Sequence, residues 1–244
     1  MKGLLVALRF LTFVPVPVSS QSLKDLGRAG KWFPTVGLGL GLVLALVHFL
    51  LGTVFPSLLT AGLTVGLWAA LTGGLHLDGL ADCCDALPAS ASPERRLEIA
   101  HDPRLGTFGS IGLVLFLLLK TLAIAALPAA CILVFPLSAS LGRWLVLLVA
   151  CQPSARAGGM GATFALGLNR MVLFTAALVP LVLVILGSWR ALIAAVFAHL
   201  VALGLIHLAH GRLGGVTGDV MGLTVEVSEL AVLLVYVGSL PALS

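Results

Sequence analysis

Charge is what this chain lacks. Charged side chains make up 10% of its 244 residues, hydrophobic ones 59%, and the mean hydropathy is +1.14. Soluble domains carry about 25% charged residues, so a water-facing globule is excluded and a polytopic membrane protein is indicated. Cysteine occurs four times without a C-x-x-C spacing: Cys83 and Cys84 are adjacent, while Cys131 and Cys151 stand in or at the ends of apolar runs. That excludes a disulfide framework and a cysteine–histidine zinc site. Walker, nucleophile-elbow and redox motifs are also missing. The net charge of +4 and the pI near 9.2 do not signal nucleic acid. Basic residues in so apolar a chain mark membrane topology.

What the chain has in abundance is apolar runs of spanning length, about 20 residues each. They cover 33–51, 58–75, 107–127, 130–151, 171–187, 191–209 and 223–240. The expected fold is all-α: one integral-membrane catalytic domain over 1–244, with about seven transmembrane helices. The N-terminal MKGLLVALRFLTFVPVPVSS imitates a signal peptide, but Arg9 interrupts its apolar run and no A-x-A site follows. It reads as retained. Pro15 and Pro17 end any helix there, leaving 1–32 as an interfacial segment. With the N-terminus cytoplasmic, eleven of the fourteen basic residues face the cytoplasm, Arg190 lies outside, and Lys120 and Arg143 fall within spans.

Acid is concentrated where the apolar runs stop. Of ten acidic residues, six lie in GGLHLDGLADCCDALPASASPERRLEIAHDPRLGTFG, residues 73–109. Asp78, Asp82 and Asp85 are spaced i, i+4, i+7, which puts them within about 60° of arc on a helix. Like charges on one stripe repel unless a cation lies between them. Oxygen ligands without cysteine or histidine suit Mg²⁺, or Mn²⁺, better than zinc. The competing reading is a solvated helix end. Gly79 and Ala81 would leave room for a ligand, and His76, about 160° from Asp78, reads as a packing or interfacial residue.

Ser92 and Pro93 begin a second helix, which Pro103 ends near Asp102. Arg95, Arg96 and Arg104 could meet phosphate oxygens; for Arg95 and Arg96, lipid headgroups or topology weigh equally. Arg156, among the glycines of the 152–170 connection, could close over a phosphate. Beyond Arg212, glycines 214, 215 and 218 with Thr217 form a turn whose amides could meet an anion. Asp219, Glu226 and Glu229 then share about 80° of the last span. Glu226 and Glu229 should face the bundle interior toward a cation or a basic partner, Lys120 and Arg143 being available if they do not snorkel out.

These blocks together resemble the cobalamin-5′-phosphate synthase family, the adenosylcobinamide-GDP ribazoletransferases. The resemblance is carried by ALRFLTFVPVP at 7–17, WFPTVGLGLG at 32–41, GGLHLDGLADCCDAL at 73–87, RRLEIAHDPRLGTFG at 95–109, PSARAGGMG at 153–161 and RLGGVTGDVMGLTVEVSEL at 212–230. It implies transfer of a cobinamide-phosphate group from adenosylcobinamide-GDP to α-ribazole or its 5′-phosphate, with release of GMP. It also implies a bacterial cytoplasmic (inner) membrane, an active site on the cytoplasmic face, surrounding lipid and no nucleic-acid partner; a homo-oligomer is compatible. Carried onto this chain, Asp78, Asp82, Asp85 and Asp102 would hold the metal. Asp82, Asp85, Asp102 and Arg104 would be catalytic, and Arg95, Arg104, Arg156, Arg212, Asp219, Glu226 and Glu229 would bind substrate. His101, Ala86 and Ala100 depart from the family pattern, which has a basic residue, a glycine and a methionine there. Two rivals stand beside it: a lipid-making CDP-alcohol phosphotransferase, and an ion-coupled transporter, which the one-sided charge disfavours.

Overall fold

The computed structural model describes residues 2–16, 23–128, 131–156 and 158–238. Pro17 and the outer ends of the fourth and seventh apolar runs, 130 and 239–240, lie outside the described residues. Among the described residues every regular element is a helix; the one extended pairing is a single parallel bridge between Ser154 and Val216.

Each apolar run is a helix: α3 (Phe33–Gly52), α4 (Ser57–Thr72), α7 (Thr107–Ala125), α8 (Val134–Ala150), α10 (Arg170–Leu186), α11 (Trp189–Leu213) and α12 (Gly218–Val237). Short helices fill the connections: α1 (Lys2–Leu11), α2 (Leu23–Ala29), α5 (Leu75–Ala86), α6 (Pro93–Ile99) and α9 (Met160–Ala165). The expected seven spans are not all matched by length. Four helices cross by length and composition: Lys24–Gly52, which joins α2 to α3, then α7, α11 and α12. A fifth arises if α4 and α5 count as one broken span. α8 and α10 have 17 residues each, about 25 Å at 1.5 Å per residue, short of a hydrocarbon core of about 30 Å.

The core sits around α8 and α12, whose residues are mostly buried. α12 is 72% buried over its most apolar stretch, against 28–33% for the other three candidate spans, so those three present outer faces. Those faces are apolar: Leu42, Leu46 and Phe49 on α3, Val114 and Leu118 on α7, Ile185 on α10, and Leu200 and Leu203 on α11 are all exposed. A continuous surface of this kind is solvated by lipid.

Charge enters the middle of the bundle at one cluster among the described residues. Lys120 of α7 donates to Glu226 at 2.8 Å and to Glu229 at 2.6 Å, both on α12, and Arg143 of α8 donates to Glu229. All four side chains are at most 3% exposed. The Lys120 ammonium also lies 4.0 Å from the centre of the Trp68 ring. Both cations are therefore partnered inside the bundle and do not snorkel to an interface.

Candidate active site

Two left-handed glycines make the turn that exposes the acidic helix. Gly73 and Gly74, at φ 61° and 69°, close α4 and open α5, a conformation that costs other residues dearly. The chain turns by 96° there. α5 leaves the direction of α4 and packs over the first turns of α7 and α12. Where α5 crosses α12, a Cβ on Gly79 would stand 2.8 Å from the carbonyl oxygen of Asp219. The room left by Gly79 is taken by the α12 backbone and is not open to a ligand.

That crossing adds Asp219 to the predicted stripe. Asp78 is exposed, Asp82 and Asp85 are half-buried, and His76 on the opposite side is 5% exposed, as packing predicts. Burial first, then the charges of Asp78, Asp219 and Asp85, push Asp82 up to about 6. The sequence grouped Asp219 with Glu226 and Glu229. The structure divides that stripe, because seven residues of helix put Glu226 about 10 Å beyond Asp219 and ten put Glu229 about 15 Å beyond it: Asp219 joins α5, and the glutamates stay in the core.

Asp85 is engaged at once. Its two oxygens accept the backbone N–H groups of Gly106 and Gly109, each at 2.8 Å. These amides belong to the start of α7, where helix N–H groups lack internal partners and favour a negative charge. Asp85 is thus a cap supplied from another helix.

The second half of the motif forms a rim. Ser92 accepts from the Arg95 amide, and Pro93 opens α6, as the sequence indicates. Arg95 pairs with Glu98 at 2.6 Å, both exposed. Arg104 grips Asp102 in a fork, Nε to Oδ1 at 2.9 Å and Nη2 to Oδ2 at 2.7 Å. That grip, with the Arg104 amide, holds the Asp102 carboxyl well below its ordinary range. Between Asp85, Arg95, Glu98, Asp102, Arg104 and Gly106 opens a cavity of about 420 Å³. Of the arginines expected at phosphate, Arg95 and Arg104 are each paired with a carboxylate of their own segment. Exposed pairs of this kind exchange partners readily.

Three distant connections meet here. Arg96, 8% exposed, donates to the carbonyl oxygens of Ala89 and Arg212, both at 3.0 Å, and so ties the 87–92 loop to the end of α11. Arg156 reaches the Leu97 carbonyl at 3.4 Å. Val216 donates to Pro153 and accepts from Ala155, each at 3.0 Å. The glycine turn before α12 therefore spends its Val216 amide on the 152–156 loop, not on an anion. Thr217 caps α12 by accepting from Val220, and its hydroxyl donates to Asp219 at 3.2 Å. Arg212 contributes its carbonyl here, while its side chain is exposed. The buried guanidinium of Arg96 was not legible as structural, since a double arginine beside a membrane span reads as a topology or headgroup signal.

Among the described residues, no three histidine, cysteine, aspartate or glutamate side chains converge as a ready metal centre. The donor chemistry nevertheless suits a hard cation: oxygen ligands only, with a carboxylate whose charge its neighbours disfavour.

Fold and site define a polytopic helical membrane protein with an acidic, arginine-rimmed site at one end of its bundle. Comparison with known proteins names the class further. The family described as cobalamin-5-phosphate synthase matches residues 3–237. A relative from Ectopseudomonas mendocina (strain ymp), named adenosylcobinamide-GDP ribazoletransferase, is 42% identical over 233 residues, covering 94% of this chain and 96% of its own. Relatives of the same name from Pseudomonas putida (strain GB-1), at 43% over 243 residues, and Desulfitobacterium hafniense (strain Y51), at 36% over 262, cover 94% and 100% of this chain and 96% and 98% of their own. No solved structure matches. The chain belongs to the cobalamin-5-phosphate synthase family, and it is a transferase.

Proposed function

We propose that this chain carries out the nucleotide-loop joining step of cobalamin synthesis at the acidic end of its bundle. A ribose hydroxyl of α-ribazole, or of α-ribazole 5′-phosphate, attacks the phosphorus that bears the cobinamide in adenosylcobinamide-GDP. The new O–P bond forms as the bond to the GMP phosphate breaks. Adenosylcobalamin, or its 5′-phosphate, leaves with GMP.

The observation that carries this reading is the grouping of Asp78, Asp82, Asp85 and Asp219, of which Asp85 also lines the arginine-rimmed cavity. Phosphoryl transfer asks for charge neutralisation and alignment more than for a protein nucleophile. Mg²⁺, or Mn²⁺ in its place, supplies that neutralisation when bound. Asp78 and Asp82 are the residues to hold it, with Asp219 beside them. Asp85 and Asp102 would add to that set only by giving up the Gly106 and Gly109 amides and Arg104. One of these carboxylates takes the hydroxyl proton. Arg95, Arg104 and Arg156 face the leaving GMP phosphate after exchanging their present partners.

The setting belongs to the same proposal. The positive-inside pattern supports a cytoplasmic N-terminus and a site on the cytoplasmic face, and the membrane in this reading is a bacterial inner membrane. Lipid covers the outer helices, and a homo-oligomer is compatible with them.

Purified protein in lipid, given adenosylcobinamide-GDP, α-ribazole and Mg²⁺, is expected to form cobalamin and GMP in equal amounts. CMP release from a CDP-alcohol, or ion flux into sealed vesicles, with no cobalamin formed, would replace this reading.

A further inference from the structure

We propose that Lys120, Arg143, Glu226 and Glu229 form a register lock that holds Asp219 in place for the transfer, acting through α12 without touching substrate. The inference rests on the functional reading above.

Backbone bonds of Val216 with Pro153 and Ala155 anchor the start of α12, and Arg190 donates to the Tyr236 carbonyl near its other end at 3.3 Å. Between these ends two features leave the register of α12 to be held from inside the bundle. The crossing of α5 and α12 is backbone on backbone: Gly79 faces Asp219, and a Cβ on Gly222 would stand 3.2 Å from the His76 carbonyl oxygen. Glycine surfaces are smooth and let helices approach, but they do not specify register. Much of the remaining α12 contact is made by aliphatic side chains such as Val220, Val225, Val232 and Leu233, all buried, and the buried Thr224 hydroxyl bonds within its own helix, to the Val220 carbonyl. A slide of one residue moves Asp219 by about 1.5 Å, enough to take it away from Asp82.

The quartet supplies directional contacts. Lys120 binds both glutamates, which lie one turn apart on α12, at 2.8 and 2.6 Å, and Arg143 holds Glu229 from α8 on another side. α12 is therefore tied to two neighbouring helices at points that a slide would break. The α7 end of the tie also leads to the site, since Asp85 caps the first turn of the helix that carries Lys120. Two cations and two anions sum to zero, so the group asks for no further ion. A buried ion pair seldom stabilises more than well-packed apolar residues, and its best-attested use is to set register. Glu226 and Glu229, at 3% and 0% exposure, are positioning residues.

The test uses full-length protein in lipid and compares Glu226→Gln, Lys120→Met and the paired Lys120→Met/Glu226→Met, which keeps the core neutral with Arg143 and Glu229 in place. The paired variant is expected to melt near wild type. Its kcat falls roughly 100-fold, as a displacement of about an ångström can produce, while KM for adenosylcobinamide-GDP stays within about twofold, since only uniform binding would move it. Wild-type kcat in the paired variant would overturn the proposal, as would a tenfold rise in KM with kcat retained. A paired variant that failed to fold would make the quartet a stability element and would overturn it too. Wild-type protein in the same assay separates the two readings: no cobalamin from wild type means that the functional assignment fails, not the lock.

Discussion

Asp85 holds the amide of Gly109 at 2.8 Å across 24 residues of sequence. With the matching bond to Gly106, it makes the last turn of α5 the cap of α7. Asp82, one turn earlier, has no such role and sits among like charges. Neighbours in one motif thus do different work, and mutation should separate them.

Asp85→Ala leaves two helix-start amides unpartnered. Melting in lipid or detergent should show a loss of about 1–3 kcal/mol. Turnover should fall with it, because α7 carries the cavity wall at Gly106. Unchanged melting would show that the cap contributes nothing.

Asp82→Asn should behave oppositely. Its carboxylate is disfavoured by burial and by Asp78, Asp219 and Asp85, so the neutral amide melts no lower than wild type. kcat should fall by at least roughly 100-fold, the scale of losing one electrostatic contact in a transition state. A folded variant with full turnover would remove Asp82 from the chemistry.

Gly79→Ala drives a methyl into the Asp219 backbone, 2.8 Å from its carbonyl oxygen. Overpacking of this kind costs about 1–3 kcal/mol, and here it also parts Asp219 from the α5 acids. Gly66→Ala is the control, with nothing within 4 Å of the added carbon. It should match wild type in turnover and melting. Equal effects at both positions would deny the crossing its special role.

Much of this was legible in the sequence. The apolar runs located the seven long helices, because burial in lipid imposes helix wherever hydrocarbon is continuous. Ser92 and Pro93 gave the start of α6, and the spacing of Asp78, Asp82 and Asp85 gave their common face. What stayed hidden depends on where helices cross. Gly79 looked like an opening until α12 filled it. Asp219 looked like the head of a stripe with Glu226 and Glu229, since periodicity reports direction around a helix but not depth along a bundle. Arg96 and the Val216 amide have tertiary partners, at Arg212 and Pro153, that no local pattern announces.

Metal should report on the acidic face without turnover. An ion held by Asp78 and Asp82 stabilises the folded protein by about 2.7 kcal/mol at a hundredfold excess over its Kd. Mg²⁺ should therefore raise the Tm relative to EDTA, and Asp78→Ala should abolish the rise. A rise that persists in Asp78→Ala would place the ion elsewhere.

The most direct measurement is the yield of GMP and cobalamin from adenosylcobinamide-GDP and α-ribazole, made by wild type and by folded Asp82→Asn side by side, with Mg²⁺ and with EDTA. The account predicts both products from wild type with Mg²⁺ only, and neither above background from the variant. Equal yields from the two proteins, or yields indifferent to EDTA, would contradict it.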